Sequence, residues 1–132
     1  MALPQSDIDY LEQRALQFSV TEEASMTCVL FPNFVLPPGL SRPVADLLIR
    51  LSAGFPDVPP DMWWFDMPGV HRLDSRPIPN TESVEAYLGR SWQRWSRHFG
   101  SGQWQPGTDT IESFLALVRR DLERWAEVEA VH

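Results

Sequence analysis

The chain contains no lysine, a single cysteine at Cys28, and no apolar run long enough to span a bilayer. Each absence excludes something. One cysteine cannot form an internal disulfide, which fits a reducing compartment. Met1 to Asp9 carry neither the basic nor the apolar region of a secretory signal, so a cytoplasmic location and no membrane partner are expected. All basic residues are arginine, and they are outnumbered by 18 acidic residues. The formal charge is −7, so nucleic acid is not an expected partner. Arginine stays protonated and is a poor nucleophile, whereas a neutral lysine amine attacks esters and thioesters. A protein that handles activated acyl groups could not modify itself on a lysine side chain. Drift toward arginine in a GC-rich genome gives the same composition, with the same chemical consequence. Three histidines and one cysteine at unrelated spacings make no metal motif, and no cofactor is implied.

The 132 residues, 43% of them hydrophobic, suffice for one domain spanning 1–132 with a continuous core. Ser6-Asp7-Ile8-Asp9 reads as the cap of a short helix reaching about Gln13. Leu16, Phe18 and Val20 alternate with polar residues as in a strand, Glu22 to Ser25 read as a turn, and Met26 to Phe31 as a second strand. Pro32 to Pro43 reads as a proline-rich connection. Ala45, Leu47, Ile49 and Leu51 form a third alternating segment. Met62 to Phe65 is a short aromatic strand, so an antiparallel meander is expected. Asp66 to Gly89 reads as irregular, and so long a loop in a small domain is usually functional or specifically anchored. Trp92, Trp95 and Phe99 stand at helical spacing over Arg90–Phe99. Asp109-Thr110-Ile111-Glu112 reads as a capping box for the longest helix, whose core stripe is Ile111, Phe114, Leu115, Val118, Leu122 and Trp125. The fold class is thus α+β.

Two segments carry a resemblance. Phe55-Pro56-Asp57-Val58-Pro59-Pro60, followed by an aromatic strand, resembles the Tyr-Pro-x-x-Pro-Pro loop of ubiquitin-conjugating enzymes. Trp104-Gln105-Pro106, leading into an amphipathic helix, resembles the Trp-Ser-Pro that follows their catalytic cysteine. Within that superfamily, Pro60-Asp61-Met62-Trp63, the run Trp92-Gln93-Arg94-Trp95-Ser96-Arg97-His98, and Trp104 to Asp109 are similar to prokaryotic family E of the ubiquitin-conjugating-like proteins. The likeness covers about Leu3 to Trp125. It implies a compact UBC-like fold with a short N-terminal helix, a meander, an irregular active-site segment and a long C-terminal helix. It also implies a place beside a ubiquitin-like protein, a ubiquitin-activating-like enzyme and a deconjugating peptidase in bacterial operons.

Departures from the eukaryotic pattern are large. The His-Pro-Asn signature is missing; Ile78-Pro79-Asn80 echoes it from far upstream of Trp104. No cysteine stands where the nucleophile should be. Relatives usually place it eight residues before the tryptophan of Trp-Ser-Pro, and that count back from Trp104 lands on Ser96.

A serine nucleophile is weak and gives an oxyester, so it needs a base within hydrogen-bond reach and donors for the oxyanion. His98 is the candidate base, provided the segment is extended so that positions two apart share a face. Arg97 and Arg94 are candidates to stabilise the oxyanion or hold the incoming C-terminus. His71 and Trp104 are further candidates at a partner-binding surface. Each has a plainer alternative: Ser96 as a surface polar residue, His98 as a structural tie, and the tryptophans as core or groove walls. Cys28 shares a face with Met26 and Leu30 and reads as a buried small hydrophobe. Ser91 is a weaker alternative to Ser96, and Asp109 reads as a helix cap rather than a catalytic carboxylate.

The expected activity is that of a transferase, an acyl carrier that takes the modifier's C-terminus on Ser96 and passes it to an amine. Two other readings stand beside it. One is a non-catalytic adaptor that binds the modifier or the activating enzyme. The other is a small serine hydrolase using Ser96 and His98, for which no Gly-x-Ser-x-Gly elbow is present.

Overall fold

A computed structural model describes residues 3–97, 104–106 and 108–130, the last four of these as backbone only. Two helices flank six strands: α1 (Gln5–Gln13), β1 (Ser19–Glu23), β2 (Met26–Val35), β3 (Val44–Leu51), β4 (Met62–Asp66), β5 (Val84–Tyr87), β6 (Arg90–Ser96) and α2 (Ile111–Ala130). The strands form one sheet in the order β1-β2-β3-β4-β6-β5, antiparallel throughout. The architecture is α+β, with an N-terminal helix, an antiparallel sheet and a long C-terminal helix. No helix among the described residues is long and apolar enough to cross a membrane.

The alternating segments become strands because each has one face to bury. Val29, Phe31, Leu47, Ile49, Phe65 and Trp95 point to the side where α2 lays down Ile111, Phe114, Leu115, Val118 and Leu122. Trp63 stacks on Trp95 at 5.9 Å and meets Phe114 edge-on at 5.8 Å. Such aromatic pairs add about 1 kcal/mol each beyond the area they bury. The opposite face carries a second, smaller cluster of Cys28, Leu48, Trp64 and Trp92. Cys28 is 1% exposed, as its alternation with Met26 and Leu30 predicts.

Several local expectations change. Arg90–Ser96 is a strand, not a helical turn: Trp92 and Trp95 are both buried, but on opposite faces of β6. The stretch expected to be irregular contains β5, joined to β6 by Leu88 and Gly89, both at positive φ (55° and 71°). Pro32 lies inside β2, where the register with β3 shifts between Phe31 and Phe34, so the missing amide falls at a bulge. Before α1 stands Pro4, with no side-chain cap. Asp7 is instead buried toward the backbone amide of Ile111, the first residue of α2. At that end Thr110 donates its amide to Ser113 Oγ, so Ser113 rather than Glu112 closes the box.

Candidate functional site

The chain between β4 and β5 is pinned point by point, which is why a long segment can hold a defined shape. Val70 is wholly buried; its amide donates to Gln93 Oε1 at 2.8 Å and its carbonyl accepts from Gln93 Nε2 at 3.2 Å. Trp95 Nε1 donates to the same Gln93 oxygen at 2.9 Å. Arg72, 4% exposed, pairs with Asp74 and donates to the carbonyl of Trp125 on α2. That guanidinium holds the Asp74 carboxyl well below the usual carboxylate range. Closer to β6, Arg94 donates its amide to the carbonyl of Ser83, and Ser96 donates its amide to that of Asn80 at 3.1 Å.

Ser96 therefore ends β6 half-buried, opposite Met62 of β4 and beside the Ile78-Pro79-Asn80 segment. Its side chain shares a face with Trp92 and Arg94, the face of the smaller cluster. The segment through Ser96 is extended, the condition under which residues 96 and 98 share a face; His98 itself lies outside the described residues.

Arg97 follows directly. Its amide donates to the carbonyl of Asp61 at 2.7 Å, and its Nε to Asp121 Oδ2 on α2 at 2.8 Å. One terminal nitrogen reaches the carbonyls of Pro79 at 3.0 Å and Ser96 at 2.8 Å. The guanidinium lies over Trp63 and Trp95. Arg97 thus ties β6, the 79–80 segment and α2 around Ser96. Arg94 pairs with Glu85 at 2.8 Å and also donates to Ser83 Oγ.

The remaining candidates lie elsewhere. Trp104 is buried, packs on Phe55 at 6.3 Å and donates its indole N–H to the carbonyl of Pro56 at 2.8 Å. The two motif segments of the sequence, Phe55-Pro56 and Trp104-Gln105-Pro106, thereby meet in space. His71 is exposed, with Nε2 2.9 Å from the Pro68 carbonyl oxygen, and borders a cleft of about 400 Å³ shared with Arg72, Ile78 and Thr81. Asp109 accepts from the Gln105 amide at 2.6 Å and so closes the turn before α2. Ser91 is exposed on β6. Among the described residues no cluster of three His, Cys, Asp or Glu side chains is placed to hold a metal ion.

Sequence reasoning missed a second cleft, on the face that Ser96 shares. It measures about 350 Å³ and is bounded by Arg50, Pro60, Met62, Trp64, Tyr87 and Arg94. Tyr87 and Glu85 lie on the unforeseen β5, so no local pattern announced it. Glu85 accepts from Trp64 Nε1, the Tyr87 hydroxyl and Arg94, and these partners hold its carboxyl below the ordinary range although burial opposes them as the largest single influence. Burial and the neighbouring Glu85 carboxylate raise the Tyr87 hydroxyl.

Comparison with known proteins gives one match. The family model described as prokaryotic E2 family E matches residues 3–125. No curated protein and no solved structure matches the chain.

Proposed function

This chain belongs to prokaryotic E2 family E, and from that membership we propose that it is an acyl carrier in a bacterial ubiquitin-like modification pathway. The family supports a ubiquitin-conjugating-like role, with a ubiquitin-like protein and an activating enzyme as partners. In the proposed step the Ser96 hydroxyl attacks the modifier's C-terminal acyl carbon, carried as a thioester on the activating enzyme. His98 takes the hydroxyl proton, the carrier thiolate leaves, and an oxyester forms on Ser96. A target amine then displaces the serine oxygen, which recovers a proton.

The observation that carries this reading is the meeting of Ser96 with Ile78-Pro79-Asn80. Fifteen residues lie between Asn80 and Ser96 in sequence, yet the Ser96 amide and the Arg97 guanidinium both bond carbonyls of that segment. Ser96 stands at a strand end, half-buried, on the sheet face that also carries Met62 and Arg94. Arg97 is then a positioning residue, because its guanidinium is committed to Asp121 and to backbone oxygens.

The same commitment favours a second reading, a non-catalytic adaptor. Arg94 and Arg97, the arginines nearest the serine in sequence, already face internal carboxylates. Reconstitution with ATP, an activating enzyme and a ubiquitin-like protein decides between the two. The carrier reading expects an adduct that is labile to base and resistant to thiols, lost in Ser96→Ala and made thiol-sensitive in Ser96→Cys. Binding without any adduct establishes the adaptor instead.

A further inference from the structure

We propose that the open edge of β5 takes up an extended segment of a partner protein as a further antiparallel strand, one with two apolar residues two positions apart and basic residues alongside. This site is separate from Ser96 and does not rest on the chemistry proposed there.

Three observations carry it. First, the edge has main-chain groups to offer. The sheet ends at β5, which pairs only with β6. Ser83 accepts from the Arg94 amide, and opposed residues in an antiparallel ladder alternate between bonded and unbonded pairs. Glu85 and Tyr87 therefore turn their amides and carbonyls toward β6, and Val84 and Ala86 turn theirs outward. No hydrogen bond reaches those outward groups among the described residues. The next outward amide, that of Leu88, is taken by the Glu23 carboxylate at the end of β1. The free edge thus runs from Val84 to Ala86.

Second, the edge is unguarded. Sheets ordinarily blunt an edge with charge, proline, a bulge or a covering loop. Here both outward residues are apolar; Val84 is 55% exposed and Ala86 is exposed too. The register with β6 runs unbroken from Val84 to Tyr87. Shortness is the strand's one protection. At the other edge of the sheet, by contrast, β1 ends in Glu22 and Glu23.

Third, the charge around the edge decides what fits. Arg94 offsets Glu85, and Arg90 is matched by Asp46 and Asp66. Glu82, exposed just before β5, and Glu23, beyond its other end, make no ion pair among the described residues. A carboxylate at each end, in a chain of net charge −7, favours a basic occupant. A second copy fits badly. Setting Val84 against Ala86 of another copy opposes Glu85 to Glu85 and brings Glu82 toward the Glu23 end, and like charges opposed across strands repel. A four-residue strand also buries far less than the roughly 1,200 Å² of a stable complex, whereas a strand added to an edge is held by main-chain bonds. An antiparallel occupant sets one residue opposite Ala86 and another, two positions later, opposite Val84. Their side chains share the face of those two residues, which favours apolar ones.

The test uses the full chain without modifier, ATP or activating enzyme. Twelve-residue peptides displayed on phage are selected against the immobilised chain, and the enriched sequences are synthesised with blocked termini. They are expected to hold two apolar residues two apart with lysine or arginine alongside, and to shift the amide resonances of Val84 and Ala86 most. Ala86→Pro removes one outward amide and no bond to β6, a place where an edge strand accepts proline. It should weaken binding at least about tenfold. Methylating the amide nitrogens of the peptide's two apolar residues should do the same, and methylating that of the residue between them should not. No enrichment, acidic sequences, shifts confined to other strands, or binding that survives Ala86→Pro overturns the proposal. Should Ala86→Pro fail to fold, the methylated peptides decide alone. A concentration-dependent dimer that Ala86→Pro abolishes assigns the edge to a second copy and overturns it as well.

Discussion

Arg97 and Asp121 meet at 2.8 Å across the junction of β6 and α2, with side chains only 17% and 14% exposed. The arginine also lies over Trp63 and Trp95, so the pair closes one end of the aromatic core. Removing a single partner strands a charge where little water reaches it. Asp121→Ala is therefore expected to cost about 3 kcal/mol in urea unfolding, and the double change Arg97→Met with Asp121→Leu markedly less than the two single changes added together. A cost below about 0.5 kcal/mol for Asp121→Ala would mean that the pair behaves as an ordinary surface bridge.

Gln93 is the hinge-pin of the segment that borders the candidate site. Its side chain satisfies the Val70 amide, the Val70 carbonyl and the Trp95 indole at once. Leucine fills a similar volume but leaves all three groups buried and unpaired. Gln93→Leu should destabilise the protein by at least about 2 kcal/mol, at about 1–3 kcal/mol for each orphaned group before relaxation. Hydrogen exchange at the Val70 amide is expected to accelerate further than exchange in β2 and β3. Uniform acceleration across the sheet would show that the glutamine serves global stability and has no special hold on the segment.

The same glutamine explains what the sequence conceals. Strands β2 and β3 were legible because one face of each is regularly apolar, β4 because it is a short run of aromatic residues, and α2 because its stripe is wide and begins with polar capping residues. β6 was not. Both of its faces are covered, so its period of two is lost, and two tryptophans three residues apart imitate a helix while pointing to opposite sides. β5 lies at the sheet edge with Val84 and Ala86 exposed, and its turn uses Leu88 at positive φ, where asparagine would have signalled a hairpin. The position of Ser96 in the chain followed from its spacing to Trp104. Its neighbours did not, because Asn80 and Met62 arrive from another loop and another strand, and pairings of that range leave no local mark.

Cys28 gives a direct check on the packing of the smaller cluster. Its thiol is sealed beside Leu48, Trp64 and Trp92. A water-soluble disulfide reagent should react negligibly with the native protein over minutes and fully once denaturant unfolds it. Rapid native labelling would mean that the outer face of the sheet opens readily.

Asp7 sets two forces against each other. The amide of Ile111, at the positive end of α2, favours the ionised carboxylate, while burial at 3% exposure opposes it and is the larger influence. The second carboxylate oxygen, Oδ2, is buried with no hydrogen-bond partner. The carboxyl is accordingly held above its ordinary value of 3.8 in the folded protein. The folded state then holds this proton more tightly than the unfolded chain does. The stabilisation linked to it is complete below the ordinary value and is lost as pH rises through the folded one. An asparagine in place of Asp7 keeps an oxygen for the Ile111 amide without the buried charge. Asp7→Asn should therefore raise the unfolding free energy at pH 7, with the advantage shrinking steadily as pH is lowered toward about 4. Parallel denaturation curves at several pH values test this. An asparagine variant less stable at neutral pH, or a difference that does not change with pH, would mean that the helix end holds the charge more strongly than burial repels it.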